Sequence, residues 1–174
     1  MVEMLVESVR VSLTTQQRVV ILKDKATDRY LLIWIDPMVA WAIASAVAGV
    51  AQTRPCTHDL VKSVVDELGA KVTQIVVNDM KEEVFFARIV MDINGRHVEI
   101  DSRPSDAIAV AVRTKSPIYV EDAVLKAHGI TPDTEEAPAQ ETAPAEKLDL
   151  EKLSAFKDLI NGLDTLDDLG KPKS

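Results

Sequence analysis

The sequence predicts an α+β domain: a mixed, largely antiparallel sheet carrying two alanine-rich buried helices and one amphipathic helix. Three observations predict it. Runs of β-branched and aromatic residues recur at Gln17–Lys23, Tyr30–Ile35, Val72–Asn78 and Val84–Ile93, as half-buried strands require. Asn94-Gly95 follows the last of these and is a strong short-range hairpin signal, so neighbouring strands are antiparallel. Two stretches rich in alanine, near 37–50 and 104–115, have the length and composition of helices.

In chain order, Met1–Leu13 alternates loosely and reads as a strand. Gln17–Lys23 and Tyr30–Ile35 flank the polar turn Asp24–Asp28 and form a hairpin whose consecutive apolar residues imply cover on both faces. Asp36-Pro37 starts the first helix, Asp as N-cap and Pro at the first helical position. Met38–Ala48 shows no polar face, so this helix, running to about Val50, is expected to be buried all round, either sandwiched within the monomer or packed with one face on a partner subunit. Thr57 is placed to cap a helix over His58–Leu68, whose Leu60, Val61, Val64, Val65 and Leu68 form one apolar stripe, with Gly69 closing it.

A two-residue Asn94-Gly95 loop sets the register of the following hairpin. It pairs Ile93 with Arg96 and, further along, Arg88 with Asp101. Ala87, Ile89, Met91, Ile93, Val98 and Ile100 then face the core, while Arg88, Val90, Asp92, His97, Glu99 and Asp101 face away. The chain turns at Ser102–Ser105 into the second alanine-rich helix, with Ser102 and Ser105 as alternative caps. Pro117–Val120 is a short strand and Glu121–His128 a short helix ended by Gly129.

Residues 1–130 thus form the domain. The proline-bearing acidic stretch 131–147 reads as a flexible linker. Within 148–174, Leu148, Leu150, Leu153, Phe156, Leu159, Ile160 and Leu163 recur at helical spacing, giving a short helix that needs a docking partner to be stable. A protein partner for 148–163 is one reading.

Charge narrows the function classes. The chain carries a net −8; Met1–Ile130 holds 15 basic and 17 acidic residues, against 5 and 11 in Thr131–Ser174. Acidity belongs mainly to the tail. Without a Lys/Arg run there is no broad cationic footprint for nucleic acid, so any such contact must be local. A single cysteine excludes an intrachain disulfide framework and fits a reducing compartment. Neither a basic segment ahead of an apolar run nor an apolar span long enough for a bilayer is present, and a cytoplasmic protein is expected. Phosphate-binding glycine loops, Cys-x-x-Cys and serine nucleophile elbows are absent as well.

The strand-to-helix corner Val98–Arg113 concentrates the candidate chemistry. Asp101 ends a strand, Asp106 lies in the first helical turn, and Glu99 shares Asp101's strand face. Such hard oxygen donors suit Mg²⁺ or Mn²⁺. The structural alternative pairs Asp101 with Arg88 across the hairpin and leaves Asp106 to the helix dipole. Arg88, Arg103 and Arg113 suit bidentate phosphate contact, or else brace those carboxylates. His58, followed by Asp59, becomes a general base if the fold brings it to the corner; His97, His128 and Cys56 are read as structural.

Thr57-His58-Asp59-Leu60, the stretch Glu99–Ala109 containing Asp101-Ser102-Arg103-Pro104-Ser105-Asp106-Ala107-Ile108, and Pro117-Ile118-Tyr119-Val120 closely resemble the bifunctional nuclease domain family. Arg29–Ile35, Arg54-Pro55 and Phe86-Ala87-Arg88 match as well, so the resemblance spans about Val2–Gly129. It implies cleavage of DNA and RNA, an α+β fold and self-association. The resemblance supplies no catalytic assignment of its own; among the residues in its motifs, Asp101, Asp106, His58 and Asp59 are the catalytic candidates, with Asp101 and Asp106 as metal-facing carboxylates and Glu99 or Asp59 as a further ligand. Arg88, Arg103, Arg113 and Ser105 become phosphate contacts or braces. Asp36 stands where the family commonly has Gly and makes a better N-cap; Cys56 stands where an aliphatic is common. The excision-repair type of C-terminal helical pair found in some plant members is not matched by the tail. The leading reading is a metal-dependent nuclease, and the competing one a non-enzymatic ligand-binding or regulatory oligomeric module.

Overall fold

A computed structural model describes residues 1–12 and 16–131. The expected linker and C-terminal helix, 132–174, lie outside the described residues.

Seven strands and four helices follow one another as β1 (Val2–Val11), β2 (Arg18–Asp24), β3 (Tyr30–Ile35), α1 (Pro37–Val47), α2 (Thr57–Glu67), β4 (Ala70–Lys81), β5 (Val84–Ile93), β6 (Arg96–Ser102), α3 (Pro104–Thr114), β7 (Ile118–Val120) and α4 (Asp122–His128). The strands form one sheet in the order β3-β2-β1-β7-β4-β5-β6. It is two antiparallel meanders joined by a three-residue strand. β7 pairs antiparallel with β1 and parallel with β4, the one parallel pairing among the described residues.

The hairpin signals act as expected. β5 and β6 pair in the predicted register, Ile93 with Arg96 through Arg88 with Asp101, without a shift. Asn94 and Gly95 both take positive φ, and the Gly95 N–H donates to Asp92 Oδ1 at 3.0 Å, the backbone a two-residue hairpin turn demands. The β4–β5 turn is less legible. Glu82 and Glu83 adopt positive φ there with neither Gly nor Asn, and β4 runs past its expected end at Asn78 to Lys81.

Asp36 caps α1 through Oδ1, which accepts from Met38 N and Val39 N at 3.0 Å each. α1 and α3 pack against each other and α2 packs on α3 and β4. The core lies between these elements and the sheet, from Met4, Val20, Leu22 and Leu31 through Ile43 and Ile75 to Ala107–Ala111 and Leu125.

Several expectations need correction. α1 is not buried all round: Val39, Ala40, Ala42, Ile43 and Ser45 face inward, whereas Met38 is 74% and Trp41 47% exposed. An all-apolar composition hides which face is covered. β3 is an edge strand, and Trp34 stands 60% exposed on it. The α2 stripe points outward, with Leu60, Val61, Val64 and Leu68 exposed and His58 the buried residue of that helix. Thr57 is the first helical residue and Cys56 the cap position. Neither Ser102 nor Ser105 caps α3; Arg103 occupies that position without a side-chain cap bond. Ile100 is exposed because β6 is the other edge, and Val90, expected on the polar face, is buried. Among the described residues no helix is long and apolar enough to cross a membrane.

Candidate active site

The corner forms because β6 ends at Ser102, Arg103 stays extended, and Pro104 presets the backbone for α3. The start of α2 packs beside it. This brings His58 to Asp106, 48 residues away: the buried imidazole holds Nε2 3.1 Å from Asp106 Oδ1. The other carboxylate oxygen, Oδ2, accepts from Arg103 Nε at 2.7 Å, and Arg103 Nη1 lies 3.9 Å from Asp36 Oδ2. Burial raises the Asp106 pKa, but hydrogen bonds from Arg103 and His58 outweigh it and hold the carboxyl below its ordinary range. The same contact raises the already high Arg103 pKa.

An ionised carboxylate only accepts, so when His58 is neutral its proton sits on Nε2 and the lone pair on Nδ1. Nδ1 has no hydrogen-bond partner among the described residues. The pair therefore has the parts of an oriented proton acceptor: an imidazole fixed through one nitrogen, a carboxylate that sets its tautomer, and an arginine that keeps the carboxylate charged.

Asp59 and Arg113 form a second tie between α2 and α3. Asp59 Oδ1 accepts from Arg113 Nε at 2.5 Å and Oδ2 from Cys56 N at 2.9 Å, while Arg113 Nη1 donates to Ala109 O. The Arg113 hydrogen bond, against the opposing effect of burial, lowers the Asp59 pKa. Arg113 is buried, so it braces the helices and is not placed to meet a substrate.

The other predicted residues fall elsewhere. Arg88 Nη1 donates to Glu99 Oε2 at 2.7 Å, diagonally across the hairpin and not to Asp101 opposite, because the long side chain reaches the diagonal neighbour. His97 Nε2 is 3.7 Å from Glu99 Oε1. Asp101 is exposed and its side chain has no ion pair or hydrogen bond among the described residues. Ser105 is buried beside Arg103, its hydroxyl likewise without a partner there.

Asp101, Asp106 and Glu99 do not assemble a metal centre. Among the described residues no group of three or more His, Cys, Asp or Glu side chains could hold an ion. The donor chemistry gives the reason. Asp106, Asp59 and Glu99 already face arginines, and Asp36 serves a helix cap and Arg103; of these carboxylates only Asp101 is uncommitted.

A cleft of about 930 Å³ opens beside the corner, with Arg18, Trp34, Phe85, Arg103 and Ser105 on its walls. His58 and Asp106 do not line it; Arg103 is where cleft and pair meet. Asp36, Arg18 and Trp34 were missing from the sequence-derived site. Asp36 left a signal as the N-cap before Pro37 and Trp34 lies in the family-like stretch Arg29–Ile35, but neither signal pointed to the cleft.

Comparison with known proteins converges on one group. A family model described as the bifunctional nuclease domain matches residues 20–133. An uncharacterized protein of Mycobacterium tuberculosis is 36% identical over 160 residues, covering 91% of this chain and 94% of the relative. Bifunctional nuclease 2 of Oryza sativa is 30% identical over 118 residues, 66% of this chain and 36% of the relative. Bifunctional nuclease 1 of Arabidopsis thaliana is 33% identical over 105 residues, 59% of this chain and 32% of the relative. The match thus spans about a third of each of these two plant proteins and nearly all of the mycobacterial one.

Proposed function

The chain belongs to the bifunctional nuclease domain family, and from that premise we propose that it hydrolyses phosphodiester bonds in DNA or RNA, with His58 carrying the proton. The observation that supports this reading is the contact of His58 Nε2 with Asp106 Oδ1 at 3.1 Å, with Arg103 on the second carboxylate oxygen. Asp106 positions the imidazole. Nδ1 takes the proton of the attacking water, or of a ribose 2′-hydroxyl in RNA, and returns it to the leaving oxygen. Arg103 and the Ser105 hydroxyl are the phosphate contacts, beside backbone N–H groups at the start of α3 that have no helical partner. Asp59 and Arg113 hold α2 against α3.

A divalent ion is kept as a separate proposal. Mg²⁺ or Mn²⁺ needs few protein ligands when substrate phosphates and water complete its shell, and Asp101 is the carboxylate available to it. Its chemistry would be charge neutralisation at the phosphate and activation of water.

The test is cleavage of supercoiled DNA and single-stranded RNA by the wild type, His58→Ala, Asp106→Asn and Asp101→Asn, each with Mg²⁺, Mn²⁺ or EDTA. Loss of a proton carrier is expected to lower the rate by roughly 10²- to 10⁴-fold. Undiminished cleavage by folded His58→Ala would overturn the assignment. Loss of activity in EDTA together with loss in Asp101→Asn would establish the metal route.

The acid balance and the arginine-saturated carboxylates favour one rival, a non-enzymatic binding module. Nucleic-acid binding without cleavage under any metal condition would identify it. Self-association belongs to the same proposal, supported by the outward apolar stripe of α2. The single cysteine, unpaired and half-buried, suits the cytoplasm, where such thiols stay reduced.

A further inference from the structure

We propose that Trp34 is a stacking platform for an unpaired nucleobase, making single-stranded nucleic acid the preferred ligand of the cleft. The choice of polymer rests on the nuclease reading; the choice of single strand rests on the cleft.

Trp34 lies on edge strand β3 and is 60% exposed, although its neighbours Ile33 and Leu31 are buried in the core. Alternation explains why a side chain at this position points away from the core; it does not explain why that side chain is indole. Register pairs Trp34 with Val19, and Ile35 with Arg18, which brings Arg18 to the same end of the sheet. Phe85, near the start of β5, and Arg103, at the cap position of α3, also line the cleft. The volume of about 930 Å³ lies within the range of small-molecule sites, roughly 300–1,000 Å³. It can admit a nucleotide.

The electrostatics select among nucleic acids. Arg18 and Arg103 face the cleft together with Asp36 and Glu83, so the formal charges of these four residues cancel. A cleft with balanced charges gives phosphate a local contact at Arg103 but no extended cationic track, whereas its exposed indole offers a face to a base. Stacking tolerates any sequence because every base presents a π-face. In a duplex that face is already covered by the adjacent pair. Arg103 touches both the cleft wall and Asp106, so a base seated at Trp34 places its backbone beside the proton-carrying pair. Stacking also offers an acidic protein a way to hold nucleic acid without a cationic surface.

The experiment measures binding separately from cleavage. In the full chain carrying His58→Ala and Trp41→Phe, Trp34 is the remaining indole, and its fluorescence is titrated with a twelve-nucleotide single strand and with the matching duplex. Quenching by the single strand is expected. Anisotropy of the labelled strand should show about tenfold weaker binding for Trp34→Ala in the same background, recovery with Trp34→Phe, and an unchanged, weak response to duplex. Equal affinity of Trp34→Ala and its parent for the single strand, or equal losses for strand and duplex, would overturn the proposal. So would failure of Trp34→Phe to recover binding while circular dichroism shows a folded protein. Because the background lacks His58, these outcomes are independent of whether His58 carries the proton in cleavage.

Discussion

Asp24 shows how one buried side chain can govern a loop. It is 2% exposed at the end of β2; Oδ1 accepts from Ala26 N at 2.8 Å, and Oδ2 accepts from Thr27 Oγ1 and from Arg29. Burial alone would raise its pKa, but these bonds prevail and bring it from 3.8 to about 2. A carboxylate with a depressed folded pKa stabilises the fold above its unfolded pKa, and that stabilisation disappears as pH falls through the folded value. The midpoint of urea unfolding should therefore drop between pH 4 and pH 2, and Asp24→Asn should flatten that slope. At neutral pH the same substitution should cost roughly 1–3 kcal/mol, since Arg29 and the Ala26 N–H lose an ionised acceptor. Asp59 offers a second case. Removing its charge leaves the buried Arg113 guanidinium with a backbone carbonyl, so Asp59→Asn should destabilise by about 2 kcal/mol, less than a fully buried pair because Asp59 is partly solvated. Adding Arg113→Met should restore much of that loss in chemical denaturation. A double variant no more stable than Asp59→Asn would show that the arginine's charge was not the cost.

At the scale of elements, backbone chemistry was legible and cover was not. Asn94-Gly95 dictated the β5–β6 register residue by residue, because φ > 0 at both positions admits few alternatives. Asp36-Pro37 located the start of α1 for the same kind of reason. By contrast, an apolar stripe tells a reader that something covers it and not what does. The α2 stripe reads as a covered face, whereas Leu60, Val61, Val64 and Leu68 are exposed and the helix's buried residue is His58. The site suffered similarly: Asp101 and Asp106 are five residues apart yet serve different surroundings, while His58 and Asp106 meet only through helix packing. Spacing does not reveal a 48-residue contact. Asp36 joins both themes, since it caps α1 and lies 3.9 Å from Arg103. Asp36→Ala should lower stability by about 1 kcal/mol through lost capping, read as a small fall in thermal midpoint. Asp36→Ser keeps a capping oxygen but no charge. If Asp36 also restrains Arg103, both variants should change KM for a nucleic-acid substrate, and only Asp36→Ala should lose stability.

At the scale of the whole molecule, exposed apolar side chains gather on two helices. Leu60, Val61, Val64 and Leu68 stand out from α2, and Met38, Trp41 and Val47 from α1, while both helices pack on α3. Apolar area of this kind gains free energy when removed from water, roughly 25 cal/mol per Å², and a stable interface requires about 800 Å² from each partner. Four α2 side chains are too few to supply that area, so association must recruit further surface. A two-fold arrangement would set α2 against its own copy, because such an interface uses the same patch twice. Light scattering of the full chain should then give a mass above the 19.1 kDa of one chain, and Leu60→Asp combined with Val64→Asp should return it to a single chain. Both positions are exposed, so the variant should retain its circular dichroism, and a concentration dependence of the thermal midpoint expected of an associating parent should be lost. A parent that scatters as one chain across the micromolar range would remove self-association from the account.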